Sequence, residues 1–335
     1  MKRKVIAFTA PKTAEYIEQD RPRAEGPRDV VVKMEYTVVS GGTERACIMN
    51  MPNTPQHFPI YLGYCGVGYV VEIGSDVTKV KVGDRVLVYH GIHTNYNIRE
   101  DNEITKVEND EIDSLDAAFV VIATMGLGGV RRLELEIGQS AMVMGLGLLG
   151  MFSIEFCRLN GAYPVIAVDP NEERRELALK LGADYAFDPT DKDFVEKVMA
   201  VTGGKGVKAT VEVTGLSVAM KQALDVASYA GKVSLLGCTR VSDCLVDFYT
   251  KVHRPGVELI GAHNQARPLY ESYPHHWTHH DDCKAILDLI AAGRIEVKQI
   301  VSRIVKPETA PQIFKELCDD PKFPIGTVFD WRGIE

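Results

Sequence analysis

The feature that most constrains the fold of this 335-residue chain is a glycine-rich run, AMVMGLGLLG at 141–150. Its glycines match the pattern G-x-G-x-x-G directly after an apolar, strand-like segment, and the amphipathic stretch MFSIEFCRLN follows as a predicted helix. The first glycine permits a tight turn, the second lets the backbone approach a pyrophosphate, and the third lets helix and strand pack closely. The run therefore predicts a dinucleotide site at the N-terminus of a helix. The predicted contacts of this turn are Gly145, Leu146, Gly147, Leu148, Leu149 and Gly150.

An acidic residue follows the next predicted strand and indicates which dinucleotide binds. The segment VIAVD ends at Asp169, about 20 residues beyond the glycine turn, where a carboxylate can accept both ribose hydroxyls. The same negative charge would repel a 2′-phosphate. The sequence therefore predicts NAD as the cofactor in preference to NADP.

The pattern of apolar residues changes near residue 120. Before it, β-branched runs such as DVVVKMEYTVV and GYVVEIG are broken by Gly, Pro and Asp, which is typical of a mostly β region. After it, apolar strands alternate with predicted helices, the pattern of a doubly wound parallel sheet. These helices are predicted at 148–160, 171–182, 191–202 and 217–230, with Gly182 and Gly231 just past their ends. The fold class is α/β.

The C-terminal part of the sequence is predicted to form a segment separate from the nucleotide-binding domain. A helix is predicted at about 281–292, followed by a strand-like run, EVKQIVSRIV at 296–305, and by a second helix near 308–318. Together with the change of pattern near residue 120, this predicts three segments. They are a substrate domain at 1–120, a nucleotide-binding domain at 121–264, and a return to the first domain at 265–335.

Composition excludes several functional classes. The net charge is −8 without any block of like charge, so no electrostatic footprint indicates nucleic acid or an anionic membrane as a partner. No apolar run approaches a membrane span, and the N-terminal residues do not resemble a signal peptide, so we expect a cytoplasmic protein. The seven cysteines include no C-x-x-C pair, which indicates free thiols.

Several further motifs accompany the glycine run, and through them nearly the whole chain resembles the medium-chain dehydrogenase/reductase superfamily. The motifs are VVSGGTERA at 38–46, LGYCGVGYVVEIG at 62–74, KVKVGDRVLV at 79–88, VDPNEERRELALKLGAD at 168–184 and EVTG at 212–215. The resemblance implies a GroES-like, mostly β substrate domain and a Rossmann domain. It also implies a homodimer or homotetramer that pairs through an edge strand near 257–263.

The resemblance assigns further cofactor contacts. It implies that Val213, Thr214 and Gly215 border the nicotinamide and that Leu236 and Gly237 form another cofactor loop. It places His263 at the end of the last sheet strand. Arg174 would lie over the adenine ribose, although a solvated position on the helix face explains this residue equally well.

The chain departs from the zinc-dependent members of that superfamily at every conventional metal position. Where those members carry a Cys, a His-Glu pair and a further Glu or Cys, this sequence has Gly41, Tyr64 with Cys65, and Val121. The region where their four-cysteine lobe belongs contains no cysteine. Because glycine and valine have no coordinating side chain, we expect neither a catalytic nor a structural zinc ion.

Without zinc, a protein group must stabilise the developing alkoxide and move its proton. By resemblance, Tyr64 occupies the place of a zinc-binding His and points toward the hydride-transfer site, unless it only fills the space of the missing metal. Thr43 matches a hydroxyl that relays a proton, or else caps the following turn. His93 aligns with a residue that lines the substrate pocket, and it either exchanges protons or forms a wall without doing so. Glu44 and Arg45 are interpreted as a structural ion pair or domain contact.

These residues lead to a functional hypothesis and two alternatives. A pocket lined by Thr43, Tyr64, His93 and Asn95 would be polar and would favour a small polyhydroxylated substrate. We expect an NAD-dependent oxidoreductase that acts on a secondary alcohol or ketone of a polyol, sugar or cyclitol. The alternatives are a zinc-free quinone or enoyl reductase, which reduces an activated C=C bond, and an inactive NAD-binding sensor.

A histidine-rich segment, SYPHHWTHHDDC at 272–283, lies outside these motifs. Its residues His275, His276, His279 and His280 include i, i+4 pairs that could bind a metal ion. A polar first turn of a helix, with Asp281 and Asp282 near the helix dipole, also explains the segment. We therefore predict no metal site here.

Overall fold

Two separate hydrophobic cores divide the chain into two units. The computed structural model describes all 335 residues, and its first unit comprises residues 1–122 and 283–335, whereas the second comprises residues 123–282. The predicted boundary after residue 264 was therefore misplaced. Residues 265–282 belong to the second unit because Arg267 donates to the carbonyl oxygen of Thr124 and pairs with Asp282, 3.2 Å away. No helix is both long and apolar enough to cross a bilayer.

The first unit is built mainly on antiparallel strands, because its β-branched runs are short and separated by turn residues; only β14 and β15 pair in parallel. Strands β1 and β2 form a two-stranded sheet, and the other strands form a seven-stranded sheet in the order β14-β15-β3-β4-β5-β7, with β6 paired to β3. The elements before the second unit are β1 (Lys2–Ala10), β2 (Thr13–Asp20), β3 (Asp29–Val38), α1 (Gly41–Ile48), β4 (Cys65–Ile73), β5 (Arg85–Tyr89), β6 (Tyr96–Glu100), a 3-10 helix (Asp101–Glu103), β7 (Ile104–Lys106), α2 (Ser114–Ala118) and α3 (Val120–Arg131), which crosses the boundary.

The chain returns to this unit after residue 282. Its remaining elements are α8 (His279–Ala291), which crosses the boundary, α9 (Val297–Ile300), β14 (Arg303–Val305), a 3-10 helix (Pro307–Thr309), α10 (Ala310–Asp319) and β15 (Thr327–Asp330). The returning segment completes the core, where Phe314 of α10 meets Phe8 of β1 edge to face at 4.7 Å. The strand-like run in this tail was misread, since residues 297–300 form a helix and only residues 303–305 form a strand.

The second unit contains the predicted parallel sheet. Six strands lie side by side in the order β10-β9-β8-β11-β12-β13, and every pair is parallel. Its elements are β8 (Ala141–Met144), α4 (Leu148–Leu159), β9 (Val165–Val168), α5 (Glu172–Lys180), β10 (Tyr185–Phe187), α6 (Phe194–Val201), β11 (Val207–Glu212), α7 (Ser217–Asp225), β12 (Ala227–Leu235), a π-helical segment (Tyr249–His253), β13 (Glu258–Gly261) and a 3-10 helix (Asn264–Ala266). The α/β architecture is thus as predicted.

One predicted helix is shorter than its pattern suggests. The stretch 217–230 was predicted as helix with Gly231 past its end, but α7 ends at Asp225 and Gly231 lies inside β12. The glycine is favoured by close strand packing, because a Cβ at this position would lie 3.0 Å from the Ser228 carbonyl oxygen and 3.2 Å from that of Val207.

Candidate functional site

The glycine turn after β8 has the close packing that its pattern predicts. Gly145 has a φ of +95°, which favours glycine, and its N–H donates to the carbonyl oxygen of Val168 at 2.8 Å. A Cβ on Gly150 would lie 1.9 Å from the Gly145 carbonyl oxygen, so only glycine lets α4 begin this close to the turn. A Cβ on Gly147, in contrast, would meet nothing within 4 Å. The surface at Gly147 is therefore open to a ligand at the N-terminus of α4.

Asp169 lies directly after β9 and is only 6% exposed. Its two carboxylate oxygens accept from separate backbone amides at 2.8 Å, one from Leu146 of the glycine turn and one from Asn171 before α5. Arg174 lies 4.0 Å from the same carboxylate. Asp169 thus braces the glycine turn, and because each oxygen has a second lone pair, it retains capacity for a ribose hydroxyl.

A buried carboxyl group that the sequence analysis missed holds the next turn. Glu212 ends β11, and its oxygens accept from the backbone N–H groups of Thr214 at 2.7 Å and Gly215 at 3.2 Å, as well as from the Thr214 hydroxyl. Burial raises the pKa of Glu212, against the effect of these hydrogen bonds. An acidic residue within the apolar run VEVTG was the available signal, since buried acids need dedicated partners.

The turn after β12 packs directly on the one that Glu212 holds. The backbone N–H groups of Leu236 and Gly237 both donate to the Glu212 carbonyl oxygen at 2.9 Å. A Cβ on Gly237 would lie 2.3 Å from the Gly215 nitrogen, and one on Gly145 would lie 2.7 Å from Thr214 Cγ2. Three turns at the carboxyl ends of β8, β11 and β12 therefore pack together. This edge of a parallel sheet is where dinucleotides bind.

The structure places the remaining predicted cofactor residues at the same edge of the sheet. Leu148 and Leu149 begin α4, Val213 follows β11, and Arg174 lies in the first turns of α5. His263 follows β13, is exposed, and accepts a hydrogen bond from the Gln265 N–H. These turns and the open surface at Gly147 fit a bound dinucleotide.

In the first unit, three hydroxyl groups form a cluster at the start of α1. Ser40 Oγ and Tyr64 Oη lie 2.5 Å apart, and the Thr43 side chain lies close enough to the phenol to affect its pKa. Ser40 is buried, whereas Thr43 and Tyr64 are partly exposed. Burial, followed by the neighbouring Cys65, raises the pKa of Tyr64 well above its ordinary value of 10 despite these contacts. The phenol is therefore neutral near pH 7 and can donate a proton or a hydrogen bond.

A chain of buried hydrogen bonds supports this cluster from inside. Trp331 Nε1–H donates to Thr37 Oγ1 at 2.8 Å, which leaves the Thr37 hydroxyl hydrogen for His93 Nδ1 at 2.7 Å. His93 Nε2–H can then donate to Glu44 Oε2 at 3.2 Å, and Glu44 Oε1 accepts from the Ser40 N–H at 2.9 Å. This buried chain fixes the backbone of Ser40, whose hydroxyl faces Tyr64.

These buried hydrogen bonds show that three expectations from the sequence were wrong. His93 is 0% exposed with both ring nitrogens occupied, so it does not line a pocket. Asn95 is also fully buried, and its side-chain oxygen accepts from the Lys4 N–H at 2.8 Å. Glu44 and Arg45 do not form an ion pair with each other, because Glu44 pairs with His93 whereas Arg45 donates to the Cys318 carbonyl oxygen at 3.2 Å.

The residues at the conventional zinc positions do not fit a zinc ion. Gly41 has no side chain, and Val121 is a fully buried aliphatic residue. Cys65 donates to the Val38 carbonyl oxygen at 3.6 Å, and burial together with Glu44 raises its pKa well above the usual value, whereas zinc binds the thiolate. The Tyr64 hydroxyl is engaged with Ser40 Oγ, 2.5 Å away. These side chains do not form the three-ligand set of a catalytic zinc site.

The histidine-rich segment forms a turn and a helix start. Tyr273 and His276 exchange backbone hydrogen bonds at 2.8 and 2.9 Å and stack their rings, whereas Thr278 donates to Asp281 at 2.8 Å in the first turn of α8. The guanidinium of Arg131 lies 3.8 Å above the ring of Trp277. No group of three or more His, Cys, Asp or Glu side chains in the structure is arranged to hold a metal ion.

Comparison with known families matches most of the chain. Residues 26–133 match the family described as the alcohol dehydrogenase GroES-like domain, and residues 149–273 match the family described as zinc-binding dehydrogenase. Most of the first match falls on the unit that holds the hydroxyl cluster, and the second falls within the unit that holds the glycine turn.

Characterised relatives extend over nearly the full length. The chain is 31% identical to L-threonine 3-dehydrogenase of Pyrococcus furiosus, across 91% of this chain and 93% of the relative. It is 24% identical to D-guloside 3-dehydrogenase of Escherichia coli K12, across 94% and 96% of the two chains. Among solved structures, a Sinorhizobium meliloti 1021 protein described as a zinc-binding dehydrogenase and bound to NADP has a TM-score of 0.83 and 22% identity. That likeness covers 98% of this chain and 99% of the other.

Proposed function

This chain belongs to the medium-chain dehydrogenase/reductase superfamily as an NAD(P)-dependent oxidoreductase of the alcohol dehydrogenase type, and we propose that it works without a catalytic zinc ion. The proposed reaction transfers a hydride between NAD and the secondary alcohol or ketone of a polyol, sugar or cyclitol. The observation that carries the proposal is the hydroxyl cluster of Ser40, Thr43 and Tyr64, in which Tyr64 by the resemblance replaces a zinc-binding His.

A neutral phenol can replace the Lewis acid of the zinc-dependent enzymes. Tyr64 keeps its proton because burial raises its pKa, so its hydroxyl can donate to the oxygen of a ketone or of a developing alkoxide. The buried pair of Glu44 and His93 fixes Ser40, and Ser40 in turn orients the phenol through the 2.5 Å contact. Tyr64 and Thr43 are therefore proposed as catalytic residues, whereas Ser40, Glu44 and His93 position them.

The same cluster offers a path for the proton of an alcohol substrate. Tyr64 Oη accepts the substrate proton as its own proton passes to Ser40 or Thr43, whose hydroxyl hydrogen passes on to water. No residue changes its net charge along this path, which suits a cluster from which bulk water is partly excluded. Oxidation thus releases one proton to solvent, and reduction takes one up along the reverse path.

The turns of the second unit would hold the cofactor. Gly145, Gly147 and Gly150 would receive the pyrophosphate at the N-terminus of α4, and Asp169 would accept the adenine ribose hydroxyls. Thr214 and Gly215, held by Glu212, would border the nicotinamide together with Gly237. A bound nicotinamide supplies the hydride acceptor or donor for this reaction. The charge of Asp169 supports NAD in preference to NADP.

The proposed substrate class rests on hydroxyl groups and on one relative. Ser40, Thr43 and Tyr64 provide several donors and acceptors within one cluster, which suits a substrate that carries several hydroxyls. The E. coli relative acts on a guloside, a sugar derivative, according to its name. The burial of His93 and Asn95 removes two of the polar pocket residues that the sequence suggested, so among the side chains only the hydroxyl cluster supports this part of the proposal.

The test combines metal removal with a variant of the phenol. Protein dialysed against a chelator and shown by elemental analysis to lack zinc would be mixed with NAD and a panel of polyols, sugars and cyclitols. NADH formation would be followed by its absorbance. We expect turnover that is unchanged by chelation and a kcat roughly 100-fold lower in Tyr64→Phe, because one donor to the developing oxyanion is lost.

Three outcomes would contradict parts of the proposal. Activity that disappears on chelation and returns with zinc would show a metal mechanism. Undiminished activity in Tyr64→Phe would show that another group stabilises the alkoxide. Reduction of quinones or enones with no oxidation of any alcohol would favour the reductase alternative, and cofactor binding without any turnover would favour the sensor.

A further inference from the structure

A second concave surface lies at the opposite edge of the parallel sheet from the cofactor turns. It is a cleft of about 650 Å³ at the amino ends of the strands, in the size range of small-molecule sites. Its floor includes Ser140, directly before β8, and Gly206, directly before β11. Because β8 is four residues long, the sheet separates this cleft from the glycine turn by roughly 13 Å.

The charge of the cleft is opposite to that of the whole chain. Lys205 and Lys208 line it, and no aspartate or glutamate does, although the chain carries a net charge of −8. Lys205 is exposed and forms no ion pair, and the Lys208 amine donates only to the Ala230 carbonyl oxygen, at 2.6 Å. A carboxylate outside the lining, that of Glu136, accepts from Gln139 at 3.3 Å. Two cations are thus available to an anionic ligand.

Two tyrosines stand at the ends of the cleft. Tyr163 precedes β9 and is 64% exposed, whereas Tyr229 lies in β12 and is 80% exposed. Strands β8 and β11 lie between these two strands, so the tyrosines are about three strand spacings, roughly 14 Å, apart. Exposed phenol rings that do not pack into the core provide flat apolar surfaces against which a ring can stack. The lysines belong to the strand and turn between them.

From this arrangement we infer that the cleft binds a nucleotide, a ligand that combines an anionic phosphate with an aromatic ring. Lys205 and Lys208 meet the phosphate at the centre, and Tyr229 or Tyr163 stacks on the base at one end. The polar side chains of Gln139, Ser140 and Ser228 also line the cleft and suit a ribose. The site is separate from the cofactor turns, so a filled cofactor site leaves it free.

The experiment measures nucleotide binding after the cofactor site has been filled. The full chain saturated with NADH would be titrated with adenosine 5′-monophosphate by isothermal titration calorimetry, with adenosine and inorganic phosphate as separate probes. We expect one further molecule of the nucleotide per chain, bound more tightly than either fragment. Lys205→Gln should weaken this binding about tenfold, since it removes one charged contact.

A matched variant distinguishes a local effect from a change in overall charge. Lys192 is also exposed and free of ion pairs, lies in the same unit, and does not line the cleft, so Lys192→Gln should bind the nucleotide like the wild type. Tyr229→Ser should weaken the nucleotide but not inorganic phosphate. The absence of any binding beyond NADH, or equal affinities in Lys205→Gln and Lys192→Gln, would overturn the inference. Binding of an acidic peptide with no binding of the nucleotide would also overturn it.

Discussion

At the scale of single residues, Asp169 combines two roles that substitutions can separate. Its carboxylate braces the glycine turn through Leu146, and in the proposed cofactor site its negative charge would repel a 2′-phosphate. Asp169→Asn removes the charge but keeps one acceptor oxygen, whereas Asp169→Ser also removes most of the brace. In both variants we expect kcat/KM with NADP, relative to NAD, to rise about tenfold.

The two variants should differ in a second quantity. Asp169→Ser should raise KM for both cofactors, because the turn loses a hydrogen bond worth about 1 kcal/mol. Steady-state kinetics with each cofactor measures both effects. An unchanged ratio of the two cofactors in both variants would mean that another residue, such as Arg174, reads the ribose.

The proposed role of Tyr64 requires a phenol that stays neutral. Since the folded state raises the pKa of Tyr64 above 10, the unfolded chain ionises this group first, and stability falls as the pH rises above about 10. Absorbance at 295 nm measures tyrosine ionisation directly. Between pH 9 and 11 the absorbance change of the wild type should equal that of Tyr64→Phe. A wild-type change larger by one tyrosine would show that Tyr64 titrates normally and can act as a phenolate base.

The buried pair of Glu44 and His93 has an exposed counterpart in the same unit. His90 and Glu103 lie 2.7 Å apart near the surface, whereas Glu44 is 1% exposed. Glu44→Gln would turn an amide NH₂ toward either the Ser40 N–H or His93, both of which donate. We expect a loss of about 1–3 kcal/mol of unfolding free energy, against less than about 0.5 kcal/mol for Glu103→Gln.

Chemical denaturation gives these stabilities, and kinetics adds a readout specific to positioning. If Glu44 acts only through Ser40 and Tyr64, Glu44→Gln should lower kcat while cofactor affinity stays unchanged. A variant as stable and as active as Glu103→Gln would remove the positioning role of the pair.

At the scale of elements, the strand, turn and helix around the glycines make a paired prediction. Gly150→Ala places a Cβ 1.9 Å from a backbone oxygen, so α4 must move away from the turn, and both stability and NAD affinity should fall. Gly147→Ala places a Cβ in open space, so its stability should be unchanged while NAD affinity falls. Thermal unfolding with and without NAD separates the two. Unchanged NAD affinity in Gly147→Ala would mean that the pyrophosphate does not approach this turn.

The elements also show what a sequence pattern can and cannot predict. Gly182 and Gly231 follow similar amphipathic stretches, and both were interpreted as helix ends. Gly182 indeed follows α5 with a φ of +108°, but Gly231 lies in a strand whose backbone approaches β11 closely. A local sequence pattern can indicate a glycine that ends a helix, such as Gly182. It cannot indicate a glycine such as Gly231, because the approach of β11 depends on tertiary packing.

The candidate site divides along the same line. The cofactor turns were predictable because each follows its own strand within a few residues, so motif and geometry coincide. The chain of buried hydrogen bonds was not predictable, because it joins residues that are far apart in the sequence. Trp331 donates to Thr37, which lies 294 positions earlier. The resemblance assigned His93 to the pocket, and no local pattern revealed its burial because its partners, Glu44 and Thr37, are distant in the sequence.

At the scale of the whole molecule, the resemblance implied a homodimer or homotetramer, and the edge of the parallel sheet makes this testable. Strand β13 pairs only with β12, and Ala262 N–H donates to the Leu235 carbonyl oxygen at 3.1 Å. Because backbone groups alternate in direction along a strand, the N–H of Gly261 faces the free edge. Edge strands with unpaired N–H groups readily pair with a second copy. We therefore propose that two chains associate along β13.

Substitution at Gly261 tests this pairing without disturbing the sheet. Gly261→Pro removes the outward N–H and should leave the β12–β13 ladder intact, so sedimentation at micromolar concentration should change from dimer to monomer. Gly261→Ala is the matched control, because its Cβ meets nothing within 4 Å and its N–H remains, and it should sediment as the wild type does. A dimer that persists in Gly261→Pro would place the interface on another surface, and a monomeric wild type would remove the proposal. Because the cofactor turns and β13 belong to the same sheet, NAD affinity serves as a check that the proline variant is folded.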